Sequence, residues 1–234
     1  MKLTSRERIE RVFQNKEIDR PVFKLWGAGL NTEWALHPAY LPVNRLAAET
    51  TDLFGGAGFP FNIYVGQDPG HCVETYTTEA DHPDWRYNHT VFHTPKGDLH
   101  MIDRVSVKGE PSFIIEYMIK EPEDIDKLLS MEYLPYPLER SGYDAAVGKM
   151  GDRGVTMIGL DHAAYAVQRL TGSETLAYLS IDEHERLHEL IQVYAGRLLA
   201  HTNAILDLGI RNPIFSWVGP ELYLPPLLRP AGFE

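Results

Sequence analysis

Two kinds of hydrophobic periodicity divide this 234-residue chain and limit the folds open to it. On both sides of residues 71–119, short apolar runs alternate with helix-like segments, a pattern typical of βαβ units with a parallel sheet. Within 71–119 the apolar residues recur at a spacing of two, as at Val105 and Val107, and Thr94-Pro95-Lys96-Gly97 is a strong turn signal. This pattern is typical of antiparallel hairpins. The sequence therefore predicts an α/β fold with an antiparallel hairpin excursion.

The predicted elements follow from the local spacing of apolar and turn residues. Thr4 or Ser5 caps the first helix, and Gly55-Gly56 is expected to end the second. Helices are predicted at 4–15, 44–53, 122–129, 142–151, 162–170, 173–179 and 182–208. Strands outside the excursion are predicted at 21–26, 61–65, 155–160 and 213–218. Because sites in parallel α/β folds lie at the carboxyl ends of strands, the residues after these runs are the candidates for chemistry.

Composition and charge exclude several classes of protein. The formal charge is −11, from 22 basic and 33 acidic residues, and a field of this sign repels nucleic acid. The single cysteine, Cys72, allows no intrachain disulfide, which suits a cytoplasmic protein. The sequence shows no secretory signal and no apolar window long enough to span a membrane.

Polar side chains follow three of the predicted strands. Gln67 and Asp68 follow the second strand, and Asp161 and His162 follow the third. Ser216 and Trp217 end the last strand. A carboxylate beside an imidazole suits acid–base work or metal binding. The alternative for Asp161 and His162 is a helix N-cap and a first-turn residue, and the sequence leaves both interpretations open.

Two further motifs are better explained without a site. His184-Glu185-Arg186-Leu187-His188 matches the HExxH zinc pattern, but no third ligand is evident and the segment has the charge of a solvated helix start. His71 beside Cys72 is a weak metal pair, because adjacent residues rarely ligate one ion alone. Cys72 is expected to be a small hydrophobic thiol. No metal ligands are therefore predicted in this chain.

Several stretches, taken in order, resemble the uroporphyrinogen decarboxylase superfamily, which also contains corrinoid-dependent and thiol methyltransferases. They are Leu3-Thr4-Ser5-Arg6-Glu7-Arg8, Ile18-Asp19-Arg20-Pro21-Val22, Thr94-Pro95-Lys96-Gly97-Asp98-Leu99, Ile119-Lys120-Glu121-Pro122-Glu123-Asp124, Leu170-Thr171-Gly172-Ser173-Glu174, Phe215-Ser216-Trp217-Val218-Gly219 and Pro230-Ala231-Gly232-Phe233-Glu234. The resemblance implies a (β/α)₈ TIM barrel. It places residues 1–234 in one incomplete barrel domain that stops after the fourth strand, with a homodimer compatible with such a fold.

Residue by residue, the resemblance disfavours the decarboxylase branch. The two positions where decarboxylases carry propionate-binding arginines are Trp26 and Leu30, and neither can make the bidentate hydrogen bonds of a guanidinium. The decarboxylase tyrosine position falls at Gln168. Asp68 is the nearest match to the catalytic aspartate, offset by a few residues, and Ser216 matches well.

The methyltransferase branch is therefore the preferred expectation. The resemblance implies zinc in the full-length protein, held by a His-x-Cys pair and a later Cys beyond this chain, with a corrinoid as substrate or a corrinoid protein as partner. The expected catalytic residues are Ser216, Asp68 and Asp161. The expected substrate-binding residues are Trp26, Tyr64, Gln67, His162, Tyr165, Gln168 and Trp217.

Two alternatives stay open. One is a tetrapyrrole decarboxylase whose arginines have moved to Arg45, Arg86, Arg104 or Arg169. The other is a non-catalytic binding module on a barrel scaffold, since a fold alone does not establish an activity.

Overall fold

The computed structural model describes residues 2–25, 38–68, 70 and 72–217. The described chain divides into two compact units. The first comprises the described residues of 1–59, 138–160 and 205–216, and the second those of 60–137, 161–204 and 217.

The secondary structure alternates as the sequence predicts, with one long antiparallel interruption. The helices are α1 (Ser5–Phe13), α2 (Leu41–Thr50), α3 (Glu123–Leu129), α4 (Ser141–Met150), α5 (Ala163–Asp182) and α6 (His184–Asp207). The strands are β1 (Leu53–Ala57), β2 (Val73–Glu79), β3 (Trp85–Thr94), β4 (Gly97–Ser106), β5 (Phe113–Glu116), β6 (Gly154–Leu160) and β7 (Ile214–Trp217). Within the described ranges, no helix is long and apolar enough to cross a membrane.

The first unit contains a three-stranded sheet in the order β1–β6–β7. β1 and β6 pair in parallel, with Leu53 opposite Gly154, and a Cβ at Gly154 would collide with the backbone of Leu53. Ile158, Ile205 and Ile210 form the core of this unit. A mixed α/β fold with a parallel sheet is thus confirmed. The described strands form this open sheet and a separate antiparallel one, and among them no closed barrel is found.

The second unit contains the four-stranded antiparallel sheet, in the order β2–β3–β4–β5. The turn at 94–97 joins β3 to β4, with Thr94 opposite Gly97, so the hairpin prediction for 71–119 is confirmed. A register shift between Ile102 and Asp103 marks a bulge in the β4–β5 pairing. Phe92 and Leu99 are buried in the core of this unit, which also includes side chains of α3, α5 and α6.

Two of the predicted strands are wrong. Residues 21–25 form no strand, and their main backbone link is a hydrogen bond from Asp52 N to Phe23 O at 2.8 Å; Trp26 lies outside the described residues. Residues 61–65 form a turn, because the Asn62 side-chain oxygen accepts hydrogen bonds from the Tyr64 and Val65 amides.

β1 lies where no strand was predicted, and it contains the glycines predicted to end a helix. Gly55 has a packing reason in that strand, since a Cβ there would collide with the Met150 side chain of α4. α2 accordingly ends before it, at Thr50. A glycine pair after a helix is a local sequence signal for the end of that helix. The structure requires glycine there for a different reason, the packing of β1 against residues about a hundred positions away along the chain.

The remaining helices match their predictions closely. Thr4 and Glu7 form a capping box at the start of α1. Gly172 lies at a kink in α5 with a φ of 67°, which confirms the predicted break between two helical segments. A Cβ at Gly172 would also collide with the ring of Tyr117. α6 is the long helix predicted from the stripe of apolar residues over 182–208.

Candidate functional site

Asp161 and His162 directly follow β6, and they have different local roles. His162 is the N-cap of α5, where its Nδ1 accepts a hydrogen bond from the Tyr165 amide at 3.4 Å. The alternative drawn from the sequence puts the N-cap at Asp161 and His162 in the first turn, whereas the cap lies one residue later, at His162, with a bond that is long at 3.4 Å. Asp161 lies one residue before the cap, so helix capping does not explain it.

The end of β7 comes to the same place as the start of α5. The rings of His162 and Trp217 lie 5.7 Å apart, centre to centre, at an angle of 41°. Trp217 is the last residue of β7, and its side chain is 63% exposed. The last residue of β7 thus lies beside the second residue after β6, two positions that the rule for strand ends singles out.

His201 of α6 also belongs to this group. It stacks on Phe61 with ring centres 4.2 Å apart and lies within electrostatic reach of Asp161. Burial lowers the pKa of His201 and of His162, so both imidazoles stay neutral over a wider pH range. Partial desolvation of its carboxyl group raises the pKa of Asp161, but the residue as a whole is exposed, so the shift is modest evidence of burial.

Tyr64 also belongs to this group, and it packs against the core of the second unit. Its hydroxyl donates a hydrogen bond to Ala166 O at 3.2 Å, and burial raises its pKa. Tyr64 also lies within electrostatic reach of Asp161 and Arg169. We call Tyr64, Asp161, His162, His201 and Trp217 the strand-end cluster.

Arg197 of α6 holds the segment that carries Tyr64. Its Nη1 donates hydrogen bonds to Ile63 O at 2.9 Å and to Tyr64 O at 2.6 Å. Its guanidinium lies 4.4 Å from the centre of the Tyr133 ring, a cation–π distance. Arg197 therefore holds the backbone of Ile63 and Tyr64 in place. Because its guanidinium is engaged in these contacts, it is not positioned to bind the carboxylate of a ligand.

Gln168, expected to bind substrate, is buried in α5 with 6% of its surface exposed. Its Oε1 has no hydrogen-bond partner among the described residues. An unsatisfied buried carbonyl oxygen costs about 1–3 kcal/mol, so this position favours a donor from water or from a ligand.

The other predicted site residues are spread more widely. Tyr165 is exposed on the first turn of α5. Gln67 donates a hydrogen bond to Pro135 O at 2.8 Å. Asp68 accepts hydrogen bonds from Gly70 N at 2.9 Å and Cys72 N at 3.3 Å, so it organises a turn. Since 61–65 is not a strand, neither Gln67 nor Asp68 is at a strand end, and their roles in binding and catalysis stay predictions.

Ser216 and Trp26 cannot be joined to the cluster by an observed contact. Ser216 is half-buried within β7, in the first unit, and its catalytic role stays a prediction. Trp26 lies outside the described residues. Cys72 packs against the core of the second unit, and burial raises the pKa of its thiol, as expected for a hydrophobic rather than a reactive cysteine.

The HExxH match lies on the solvent side of α6. His184 and His188 are both exposed, and their ring centres are 6.2 Å apart. Across the described parts of the chain, no group of three His, Cys, Asp or Glu side chains is placed to hold a metal. The solvated-helix interpretation is the one that the exposure supports.

Sequence reasoning missed His201 and Arg197 as members of this region. A signal existed, because Tyr194, Leu198, His201 and Ile205 follow one another at spacings of four, three and four. That spacing puts His201 on the apolar face of α6. A histidine on such a face is removed from water, and this is the cause of its lowered pKa.

Comparisons of the chain with protein-family models, with curated proteins and with solved structures found no match.

Proposed function

We propose that the chain belongs to an enzyme of the uroporphyrinogen decarboxylase superfamily that transfers a methyl group to or from a corrinoid or a thiol. The observation that carries the proposal is the meeting of His162 and Trp217 at the ends of β6 and β7. It is supported by the order β1–β6–β7, in which strands that follow one another along the chain are neighbours in the sheet, as in a barrel wound in one direction.

The chemistry of the cluster suits a large, largely uncharged ligand. Trp217 and Tyr64 offer aromatic surface, and the imidazoles of His162 and His201 are kept neutral by burial. Apolar and aromatic walls with a few polar groups are the usual composition of a ligand site. A flat macrocycle can lie against such walls.

The same residues can handle the proton of a thiol. A thiol must lose its proton before its sulfur attacks a methyl group, because the thiolate is the nucleophile. A neutral imidazole is a suitable base, and His201 beside Asp161 has a carboxyl group to stabilise the imidazolium that forms.

The proposal assigns no zinc ligand among the described residues. No ligand set for it occurs among them, so no step of the proposed reaction uses zinc here.

Equilibrium dialysis of the 234-residue chain against methylcobalamin tests the proposal. We expect saturable binding that weakens at least five-fold in Trp217→Ala and in His162→Ala, because both rings would face the ligand. His184→Ala is the matched control, since this exposed histidine lies outside the cluster. Saturable binding of uroporphyrin in place of methylcobalamin would reverse the choice of branch, and binding of neither would contradict the proposal.

One observation favours the decarboxylase alternative. Arg169 lies within electrostatic reach of Tyr64, so it is near the cluster. Two of the other arginines considered for this role are held elsewhere: Arg104 binds Asp81 at 3.3 Å, and Arg86 donates to Trp85 O at 2.7 Å. If Arg169 binds propionates, uroporphyrin binding should fall at least ten-fold in Arg169→Ala, while methylcobalamin binding would stay unchanged.

A further inference from the structure

β2 lies at one edge of the antiparallel sheet, because the strand order is β2–β3–β4–β5. A hydrogen bond from His93 N to Cys72 O, at 2.9 Å, fixes which backbone groups of β2 face β3. Hydrogen-bonded pairs alternate along an antiparallel ladder, so the backbone groups of Glu74, Tyr76 and Thr78 bond to β3. The alternate residues of β2 turn their backbone N–H and C=O groups away from the sheet, and we call them the open edge: Val73, Thr75, Thr77 and Glu79.

The open edge lacks the features that usually prevent a strand from pairing with another chain. β2 pairs with β3 over seven residues without a register shift, it contains neither proline nor lysine, and all its residues after Val73 are exposed. β5, at the opposite edge of the sheet, has only four residues and pairs with β4 across a bulge. Short strands and bulges protect an edge, so β5 is protected and β2 is not. In the described part of the chain, no strand pairs with the open edge.

A second copy of β2 fits the open edge in an antiparallel register centred on Tyr76. With Tyr76 opposite Tyr76 of the second copy, Thr75 lies opposite Thr77, and Val73 lies opposite Glu79. These are the residues whose backbone groups point outward, so every outward N–H and C=O group of both copies gains a partner. A shift of the second copy by two residues leaves outward groups unpaired at the ends. The backbone therefore favours the centred register.

The charged side chains of β2 are compatible with this register. Glu74 lies opposite Thr78 of the second copy, and Glu79 lies opposite Val73, so no two like charges are directly opposed. Glu79 also has a basic neighbour within its own copy, since Arg86 of β3 is its partner in the strand register. The acidic residues of β2 therefore do not prevent two copies from approaching.

Tyr76 supplies the side-chain contact at the centre of the register. Its ring stacks on that of His89, with centres 4.4 Å apart and planes 6° apart, so the ring is already held in place within one copy. Even so, 44% of Tyr76 is exposed. The side chains of a non-hydrogen-bonded pair lie closest together, and aromatic pairs are favourable at such positions. The two Tyr76 rings would form such a pair.

We propose that the open edge binds the open edge of a second copy of this chain, with Tyr76 opposite Tyr76, and joins the two antiparallel sheets into one continuous sheet. A seven-residue strand is about 23 Å long. A contact between two such strands is small beside the roughly 1,200–2,000 Å² that a stable interface buries. The dimer is therefore weak and reversible.

Sedimentation velocity of the 234-residue chain over a hundred-fold range of concentration tests the proposal. We expect the wild type to pass from monomer to dimer as the concentration rises. Tyr76→Lys and Tyr76→Glu should each weaken the association at least ten-fold, because each places two like charges directly opposite one another. An equimolar mixture of the two variants should associate again.

Thr78→Lys is the matched control for these variants. It adds the same charge as Tyr76→Lys to the same face of the same strand, but its opposite residue in the second copy is Glu74. We expect Thr78→Lys to associate at least as tightly as the wild type. Circular dichroism checks that every variant is folded.

Three sedimentation results would overturn the proposal. The first is a wild type that stays monomeric at every concentration. The second is a Tyr76→Lys variant that associates as well as the wild type, which would place the contact on another surface. The third is a mixture of Tyr76→Lys and Tyr76→Glu that associates no better than either variant alone.

Amide hydrogen exchange of the wild type tests the open edge without a substitution. We expect the amides of Thr75 and Thr77 to exchange fast in dilute solution and slowly in concentrated solution, whereas those of Tyr76 and Thr78 are protected in both, since they bond to β3. Slow exchange of Thr75 and Thr77 at every concentration would mean that the edge is covered within one copy. Fast exchange at every concentration would mean that it stays unpaired. Either result would contradict pairing between copies.

Discussion

Two aspartates, one in each unit, differ in how their carboxyl groups are partnered. In the first unit Asp52 is 0% exposed and is fully paired, with Arg8 Nη1 at 2.6 Å, Arg20 Nη1 at 2.7 Å and the Phe23 amide at 2.9 Å. In the second unit Asp161 is exposed, and among the described residues the pKa of its carboxyl group responds to His201 and not to a hydrogen-bond donor.

The pKa directions record this difference. Burial by itself would raise the pKa of Asp52, but hydrogen bonds from Arg20 and the Phe23 amide bring it below its ordinary value. Partial desolvation raises the pKa of Asp161, and no comparable set of donors reverses the effect. A buried acid with matched donors stabilises a fold, whereas a carboxyl group whose pKa is raised without such donors is a candidate for chemistry. The predictions below test this contrast.

The largest effect is expected at Arg8, which links the two acids of the first unit. It is 4% exposed, with its Nε 2.7 Å from Asp19 and its Nη1 2.6 Å from Asp52. Arg8→Met should lower the free energy of unfolding by about 3–5 kcal/mol, because it leaves a buried carboxylate short of its partner. Urea denaturation measures this. Glu10→Gln, at an exposed position of the same helix, should change it by less than about 0.5 kcal/mol.

The matched substitution of the two aspartates should give opposite results. Asp52→Asn should cost about 1–3 kcal/mol at pH 7, since a neutral amide leaves Arg8 and Arg20 without a counter-charge. Asp161→Asn should leave the chain at least as stable as the wild type, while methylcobalamin binding changes.

Thermal and urea unfolding of Asp52→Asn and Asp161→Asn, each compared with the wild type, measure these changes in stability. The advantage of wild-type Asp52 is present above about pH 4, the unfolded pKa, and is lost as the pH falls through the lower folded pKa. A loss of stability in Asp161→Asn equal to that in Asp52→Asn would contradict the contrast between the two units.

The caps of α1 and α5 repeat the contrast on a smaller scale. Thr4 and Glu7 form a reciprocal capping box with bonds of 3.1 Å and 2.8 Å, whereas His162 caps α5 with one bond of 3.4 Å. Thr4→Ala should cost about 1 kcal/mol. His162→Ala should cost clearly less and should instead weaken ligand binding. If His162→Ala lowered the unfolding midpoint more than Thr4→Ala, the main role of His162 would be to stabilise the fold and not to bind a ligand.

The smallest effect is the pH dependence contributed by Asp161. Its folded pKa is raised, so the ionised carboxylate disfavours the folded state at neutral pH, and this penalty disappears as the pH falls through the folded pKa. The difference in Tm between Asp161→Asn and the wild type should therefore shrink as the pH is lowered from 7 to 4. A difference that grows toward pH 4 would show that Asp161 is stabilised as a carboxylate.

The elements that sequence predicts well are those whose cause is local. α1 is set by its capping box and apolar stripe, and the β3–β4 hairpin by the turn at 94–97. β1 was missed because its glycine pair is locally a turn signal. The forces that make it a strand, pairing with β6 and packing against Met150, come from residues about a hundred positions away.

The residues of the candidate site were likewise predicted where their cause is local and missed where it is distant along the chain. Asp161, His162 and Trp217 follow from the rule that strand ends carry function, and the contact between His162 and Trp217 agrees with that rule. Gln67 and Asp68 depended on a strand at 61–65 that does not form. His201 enters the cluster through the packing of α6, which the spacing along one helix indicates but cannot connect to Asp161.

The topology of the two sheets also sets the order in which they can form. β2, β3, β4 and β5 pair with their neighbours along the chain, so each pairing closes only a short loop. A hairpin forms in about 1–10 μs. β1 and β6 are about a hundred positions apart, and closing so long a loop slows folding. On a nascent or refolding chain we therefore expect the antiparallel sheet to be complete while the parallel sheet is still unpaired.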